Sequence, residues 1–184
     1  FVKLIDARLK TSSDVMNQLL KWAVTQLEGM HVKKQWLDLE DLIEENVNFF
    51  SEPIKEKNLV ISTDIRHSAA YADREMISTT IRNLLSNSIK FSHSGKTIYI
   101  ATSAKQETVY LSIRDEGVGM NLTWYNSLAE NGILTTKSGT QGEQGTGFGL
   151  VITRDFVRMN GGELECESEE GVGTKFTIVL PLKK

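Results

Sequence analysis

Three short strings in this chain have side chains and glycines suited to holding a phosphorylated ligand. In Asn83-Leu84-Leu85-Ser86-Asn87-Ser88-Ile89-Lys90-Phe91, residues Asn83, Asn87 and Lys90 fall at i, i+4 and i+7 and share one helix face. Asparagine is a poor residue for a helix interior unless its amide has something to bind. An amide oxygen is a hard ligand suited to Mg²⁺, and a lysine ammonium is a point charge suited to phosphate. The same three residues also fit a plain solvated face. Asp115-Glu116-Gly117-Val118-Gly119-Met120 stands where a predicted strand ends. Its glycines let the backbone approach a flat ligand, and its aspartate suits an exocyclic amine such as adenine's. Calcium loops and ordinary turns use similar strings, although Val118 and Met120 withhold the oxygens that a calcium loop wants. Gly142-Glu143-Gln144-Gly145-Thr146-Gly147-Phe148-Gly149-Leu150 leads straight into a predicted helix. Free N–H groups and the positive helix end are then presented together, which makes an anion site. No Gly-Lys-Ser/Thr closes the string as in a Walker motif, and judged alone it also fits a flexible loop. Gly171-Val172-Gly173-Thr174 is weaker: a turn explains its glycines, though Thr174 is also placed to reach a ligand.

These strings need elements to position them. Residues 1–30 read as one long amphipathic helix, with Ile5, Leu9, Ser12, Met16, Leu19, Ala23, Leu27 and Met30 spaced alternately by three and four. A helix with so continuous a stripe implies a partner helix, in an intermolecular bundle because the stripe runs its whole length, although packing on its own domain is the alternative. A polar link at 32–35 follows, then a strand-like Trp36-Leu37. Asp38 caps a predicted helix from Leu39, whose buried side uses Leu42, Ile43, Asn46, Val47, Phe49 and Phe50. Pro53 kinks or restarts it. Leu59–Ile65 reads as a strand, and Asp73 caps a second long helix over 74–91. Two antiparallel strands are predicted at 97–103 and 108–115, a short helix at 123–130, and a mobile Gly/Thr/Ser-rich loop at 131–147. A helix over 148–159 stops at Gly161-Gly162, and strands at 163–168 and 174–180 end the chain. The expected fold is an α/β two-layer sandwich: a mixed, mostly antiparallel sheet covered by about three helices, preceded by the long N-terminal helix. The expected organisation is 1–31 helix fragment, 32–35 linker, 36–184 globular domain. A doubly wound nucleotide fold is disfavoured, because βαβ units do not repeat.

The bulk properties are permissive. The chain has 184 residues, 40% of them apolar, with 21 Lys+Arg against 24 Asp+Glu for a net charge of -3. That composition forms a core and argues against disorder, and the mixed acidic surface argues against a duplex nucleic-acid binder. The single Cys166 excludes an intrachain disulfide and reads as a core residue. No apolar run is long enough to span a bilayer. The start at Phe1, without Met, reads as a piece of something longer.

Taken jointly, the asparagine string, Asp-x-Gly-x-Gly and Gly-x-Gly-x-Gly resemble the ATP-binding catalytic domain of bacterial sensor histidine kinases. That family belongs to the wider group that includes DNA gyrase, Hsp90 and MutL. The resemblance covers about residues 36–184. Residues 1–30, including Leu19-Leu20-Lys21-Trp22-Ala23, are similar to the second helix of the kinases' dimerisation and phosphotransfer hairpin. The resemblance implies that Asn87 coordinates a Mg²⁺ bridging the ATP phosphates, with Asn83 in support, Lys90 on the phosphates and Phe91 near the nucleotide. It implies that Asp115 receives the adenine amino group, that Gly117 and Gly119 shape the pocket, and that Thr174 borders the base. Residues 131–147 would be a lid over ATP, with Gly145, Thr146, Gly147, Phe148, Gly149 and Leu150 at its hinge and near the phosphates. The chain departs from many relatives at Thr135-Thr136-Lys137-Ser138, where they have a phenylalanine-containing segment.

The resemblance further implies transfer of the γ-phosphoryl group of Mg-ATP to a histidine on the first bundle helix, then to an aspartate of a response regulator. None of His31, His67 and His93 stands in the family's His-Glu or His-Asp context, so each is expected at the surface and the acceptor is expected upstream. Asn83 occupies the position where the family's ATPases carry a water-activating glutamate, and an amide is no general base. The expected partners are a second copy through the helical bundle and a receiver domain, in the cytoplasm, without nucleic acid or direct membrane contact. The alternative is a silent scaffold or dimerisation module.

Overall fold

The computed structural model describes residues 32–123, 125, 138–143 and 147–182. The long helix over 1–30, almost all of the helix over 123–130, and most of the loop over 131–147 lie outside the described residues.

The described elements run β1 (Lys34–Asp38), α1 (Leu39–Phe49), α2 (Ser51–Glu56), β2 (Val60–Ile65), β3 (Ala69–Asp73), α3 (Arg74–Phe91), β4 (Thr97–Lys105), β5 (Thr108–Asp115), α4 (Phe148–Met159), β6 (Glu163–Glu169) and β7 (Gly173–Pro181). Both aspartate caps form where the sequence places them. The Asp38 carboxylate accepts from Glu40 N at 2.9 Å and that of Asp73 from Met76 N at 3.1 Å, which satisfies first-turn donors that have no intrahelical partner. Pro53 sits inside α2, a separate short helix, so the chain restarts there after α1.

Five strands form one sheet in the order β2-β4-β5-β7-β6. Only β2 and β4 pair in parallel, because α3 carries the chain across between them; the other neighbours are antiparallel. Alternation sends Ile98, Ile100, Val109, Leu111, Ile113, Phe176, Ile178 and Leu180 to one face, where they are buried with Ile77, Ile81, Leu84, Leu85 and Val157 of the helices. The opposite face presents Tyr99 and Arg114, with the guanidinium 5.5 Å from the ring centroid. The result is a two-layer α/β sandwich.

The strand expected at Trp36-Leu37 forms as β1, which pairs antiparallel with β3 in a two-stranded ribbon apart from this sheet. The sequence reading did not find β3, because Ala69-Ala70-Tyr71-Ala72 lacks the β-branched residues that mark a strand. Phe49 is 51% exposed, not buried; it turns outward beneath the Arg82 guanidinium, 4.5 Å from its ring centroid. His67 is half-buried after β2 and its Nε2 has no hydrogen-bond partner among the described residues, whereas His93 is exposed as expected.

Candidate functional site

Asp115 is the last residue of β5, a strand flanked on both sides, so its carboxylate is set by the sheet rather than by a loop. It is 5% exposed. Its Oδ1 accepts from Gly117 N at 3.0 Å and Thr174 N at 3.2 Å, and its Oδ2 accepts from Ser88 Oγ at 3.2 Å. Burial pushes the carboxyl above the usual carboxylate range. Those three hydrogen bonds and the Arg114 charge oppose the shift. Ser88 belongs to α3, so this one bond ties the strand end to the asparagine helix. Thr174 faces the same corner from β7, its hydroxyl 2.9 Å from Ser168 Oγ. Cys166, expected in the core, is half-buried on the neighbouring strand; burial and the charges of Asp115 and Glu167 push its thiol up to about 12.

The glycines after Asp115 are required by backbone contact. A Cβ on Gly117 would overlap the Phe91 carbonyl at the end of α3, and one on Gly119 (φ +64) would overlap the Glu169 carbonyl. Val118 N donates to Phe91 O at 3.1 Å and Gly171 N donates to Val118 O at 2.8 Å. The Asp-x-Gly-x-Gly string is therefore wedged between the α3 terminus and the β6–β7 turn.

On α3, Asn83 is 8% exposed and its amide donates to Gly149 O at 3.3 Å and Thr153 Oγ1 at 3.4 Å. These bonds join the asparagine helix to the first turns of α4. Gly147 stands at the N-cap of α4 with φ +76 and no side chain caps that end, which leaves the first-turn N–H groups of Phe148, Gly149 and Leu150 for another acceptor. Gly145 and Thr146 lie outside the described residues. Asn87, one turn beyond Asn83, is half-buried, and its side chain makes no hydrogen bond among the described residues. Lys90 lies a further turn on, its Nζ 4.7 Å from the Phe91 ring centroid. Burial and the like charge of Lys57 push its ammonium below the usual lysine value, against the attraction of Glu143.

Direct bonds thus join two of the three motifs to α3, Asp115 through Ser88 and Gly149 through Asn83. The reading from sequence missed Ser88 and Ser168 as partners, since a serine inside a helix or strand gives no local signal. It also missed Lys57, whose side chain is 4% exposed and whose Nζ stands 2.7 Å from Glu143 Oε1. Among the described residues no group of three His, Cys, Asp or Glu is placed to hold a metal, and no helix is long and apolar enough to cross a membrane.

Comparison with known proteins identifies the family of this chain and its relatives. The family profile described as "Histidine kinase-, DNA gyrase B-, and HSP90-like ATPase" matches residues 72–184. Sensor histidine kinase WalK of Bacillus subtilis is 26% identical over 174 residues, covering 92% of this chain and 28% of that protein. Sporulation kinase E of the same organism is 30% identical over 188 residues, covering 100% of this chain and 24% of that protein. The chain spans about a quarter of the length of these two relatives. Among solved structures, histidine kinase ThkA in complex with response regulator protein TrrA superposes with a TM-score of 0.77 at 20% identity, covering 98% of this chain and 50% of that one.

Proposed function

Because the chain belongs to the family of histidine kinase-, DNA gyrase B- and HSP90-like ATPases, we propose that it is the ATP-binding catalytic part of a sensor histidine kinase. Its whole protein would pass the γ-phosphoryl group of Mg-ATP to a histidine on a dimerisation helix and on to a response-regulator aspartate. The observation that carries this reading is the bonding of Asp115 and of Gly149 to the helix that bears Asn83, Asn87 and Lys90.

Under this reading each end of the nucleotide meets a different chemistry. Asp115 accepts the adenine amino group while Gly117 and Thr174 hold its other oxygen, and Gly117 and Gly119 let the backbone that shapes the pocket pack directly on Phe91 and Glu169. Phe91 lies beside the nucleotide. Lys90 and the uncapped N–H groups of Phe148, Gly149 and Leu150 neutralise phosphate charge, with Gly145, Thr146 and Gly147 leading into them. The half-buried, unbonded Asn87 amide fits a magnesium ligand, with Asn83 supporting it from the preceding turn. Asn87 would hold a magnesium ion there, which when bound would supply charge neutralisation for the transfer. This chain's own part is therefore binding and charge neutralisation. Attack on phosphorus needs a nucleophile that His31, His67 and His93 do not supply.

Neutral Asn83 sets the kinase reading apart from a water-directed ATPase, because an amide takes no proton from water at pH 7. The identity of WalK and sporulation kinase E as kinases supports the same choice. The organisation proposed with it is a hairpin fragment over 1–31 whose long helix pairs in a dimer bundle, a link at 32–35 whose last two residues already belong to β1, and the catalytic domain over 36–184, in a cytoplasmic part of the whole protein. A receiver domain is the proposed partner; the ThkA–TrrA complex is the support for it. The test is incubation of this chain with Mg-ATP, followed by intact mass and phosphate release. Saturable binding with neither phosphohistidine nor fast hydrolysis is expected. Stoichiometric phosphohistidine on this chain, or turnover of several ATP per second, would overturn the assignment, and failure to bind at millimolar ATP would leave the silent scaffold.

A further inference from the structure

Lys57, between α2 and β2, is a buried cation to which nothing above gives a chemical role. Its Nζ donates to Ile89 O at 2.8 Å, Lys90 O at 3.0 Å and Ser92 O at 3.4 Å. These are carbonyls at the C-terminal end of α3, which have no intrahelical partner and carry the negative end of the helix dipole. The same ammonium donates to Thr140 Oγ1 at 2.8 Å and pairs with Glu143 Oε1 at 2.7 Å. An ammonium has three protons, so the five oxygens around it must share them.

The far side of this cage is the turn 139–143. Gly139 N donates to Glu143 O at 2.8 Å and Gln141 N to Glu143 Oε2 at 2.8 Å, which closes the turn on itself. Thr140 N donates to Lys90 O at 3.0 Å and Thr140 Oγ1 to Ser92 O at 2.8 Å. A Cβ on Gly139 would meet Lys90 Cγ at 2.5 Å, so the turn lies flush against the Lys90 stem. The stem thus has the turn against it, while its ammonium reaches over the Phe91 ring. Burial works to raise the Glu143 carboxyl, and bonds from Lys57 and Gln141 outweigh it, so Glu143 stays below the usual range and ionised.

We propose that Lys57 is a positioning residue: by joining the α3 terminus to the turn 139–143 it fixes where the Lys90 ammonium meets the phosphates. It does not touch the nucleotide. The inference rests on the ATP reading above and adds to it a residue that acts through Lys90. Its signature is a loss confined to the phosphate end of the ligand. A role in folding alone would weaken both ends alike.

The test uses this chain with Lys57→Met and Glu143→Gln, comparing Mg-ATP by calorimetry with adenosine by NMR shift titration. Glu143 is one-third exposed and its loss leaves Lys57 four other oxygens, so the Gln variant is expected to keep the fold even where removal of the buried ammonium does not. Each variant should weaken Mg-ATP by about five- to tenfold, the scale of one charge-assisted bond mis-set, and leave adenosine within about twofold. Equal weakening of both ligands, or unchanged Mg-ATP affinity in Glu143→Gln, would overturn the proposal. If wild type binds Mg-ATP and the variants match it, this inference alone fails. A wild-type chain that binds neither ligand would overturn the ATP reading first.

Discussion

The two ends of the candidate pocket are built on opposite principles. At the Asp115 end, both carboxylate oxygens already accept hydrogen bonds from Gly117, Thr174 and Ser88, and the surrounding backbone leaves no room for a Cβ at Gly117 or Gly119. At the Asn87 end, the amide has no hydrogen bond among the described residues and the N-terminus of α4 has no side-chain cap. The first end is part of the fold's own hydrogen bonding, so it is rigid before any ligand arrives. The second holds unused bonding capacity, which a ligand must satisfy. A rigid end suits a flat group of fixed shape; an end with spare donors and acceptors suits a flexible, highly charged chain.

The contrast predicts that damage at the first end harms folding and binding together, and damage at the second harms binding alone. The largest effect is expected from Asp115→Ala. It leaves the buried Gly117 and Thr174 N–H groups unpaired, at about 1–3 kcal/mol each, and removes the acceptor for the base. Denaturant unfolding should show the stability loss, and a fluorescent ATP analogue should no longer saturate. Full stability in this variant would break the comparison. Asn87→Ala comes next. It should lower Mg-ATP affinity by roughly ten- to a hundredfold while changing unfolding free energy by less than about 0.5 kcal/mol, since it breaks no bond. A stability loss as large as that of Asp115→Ala would show that the two ends do not differ.

The smallest effect is a pH dependence. The Asp115 carboxyl titrates above its unfolded value, so its contribution to stability is whole below the ordinary carboxylate pKa and is lost as pH rises through the raised one. Over that same interval the carboxylate forms, and affinity for Mg-ATP should increase. Asp115→Asn has no proton to lose, so its stability profile should lack this fall. An identical profile in wild type and Asp115→Asn would remove Asp115 as the titrating group.

Much of the scaffold was legible because its signals are local. Asp38 and Asp73 announce helices by capping them, Pro53 forces a restart, and Val109, Leu111 and Ile113 alternate with Tyr110, Ser112 and Arg114 as a half-buried strand must. The three ligand-like strings were legible for the same reason, since spacing of four along a helix or two along a turn is a near-neighbour property. The ribbon of β1 and β3 was not, because small residues pair as strands only when another strand is placed beside them. Phe49 was misread because its spacing matches the buried Leu42 and Asn46, whereas it is the adjacent Phe50 that packs against the core.

The sequence by itself therefore determined which short segments become helix or strand, and which of them carry amides, a carboxylate and open N–H groups. Only the tertiary structure decided that Ser88 would meet Asp115 across 27 positions, that Asn83 would meet Gly149 across 66, and that Lys57 would meet Thr140 across 83. Helical and strand periodicities act over a few residues, whereas these contacts form when the chain crosses from β2 through α3 to β4 and the helices close over one face of the sheet. A lysine in Lys55-Glu56-Lys57 looks like any solvated charge until a helix end and a distant turn arrive around it.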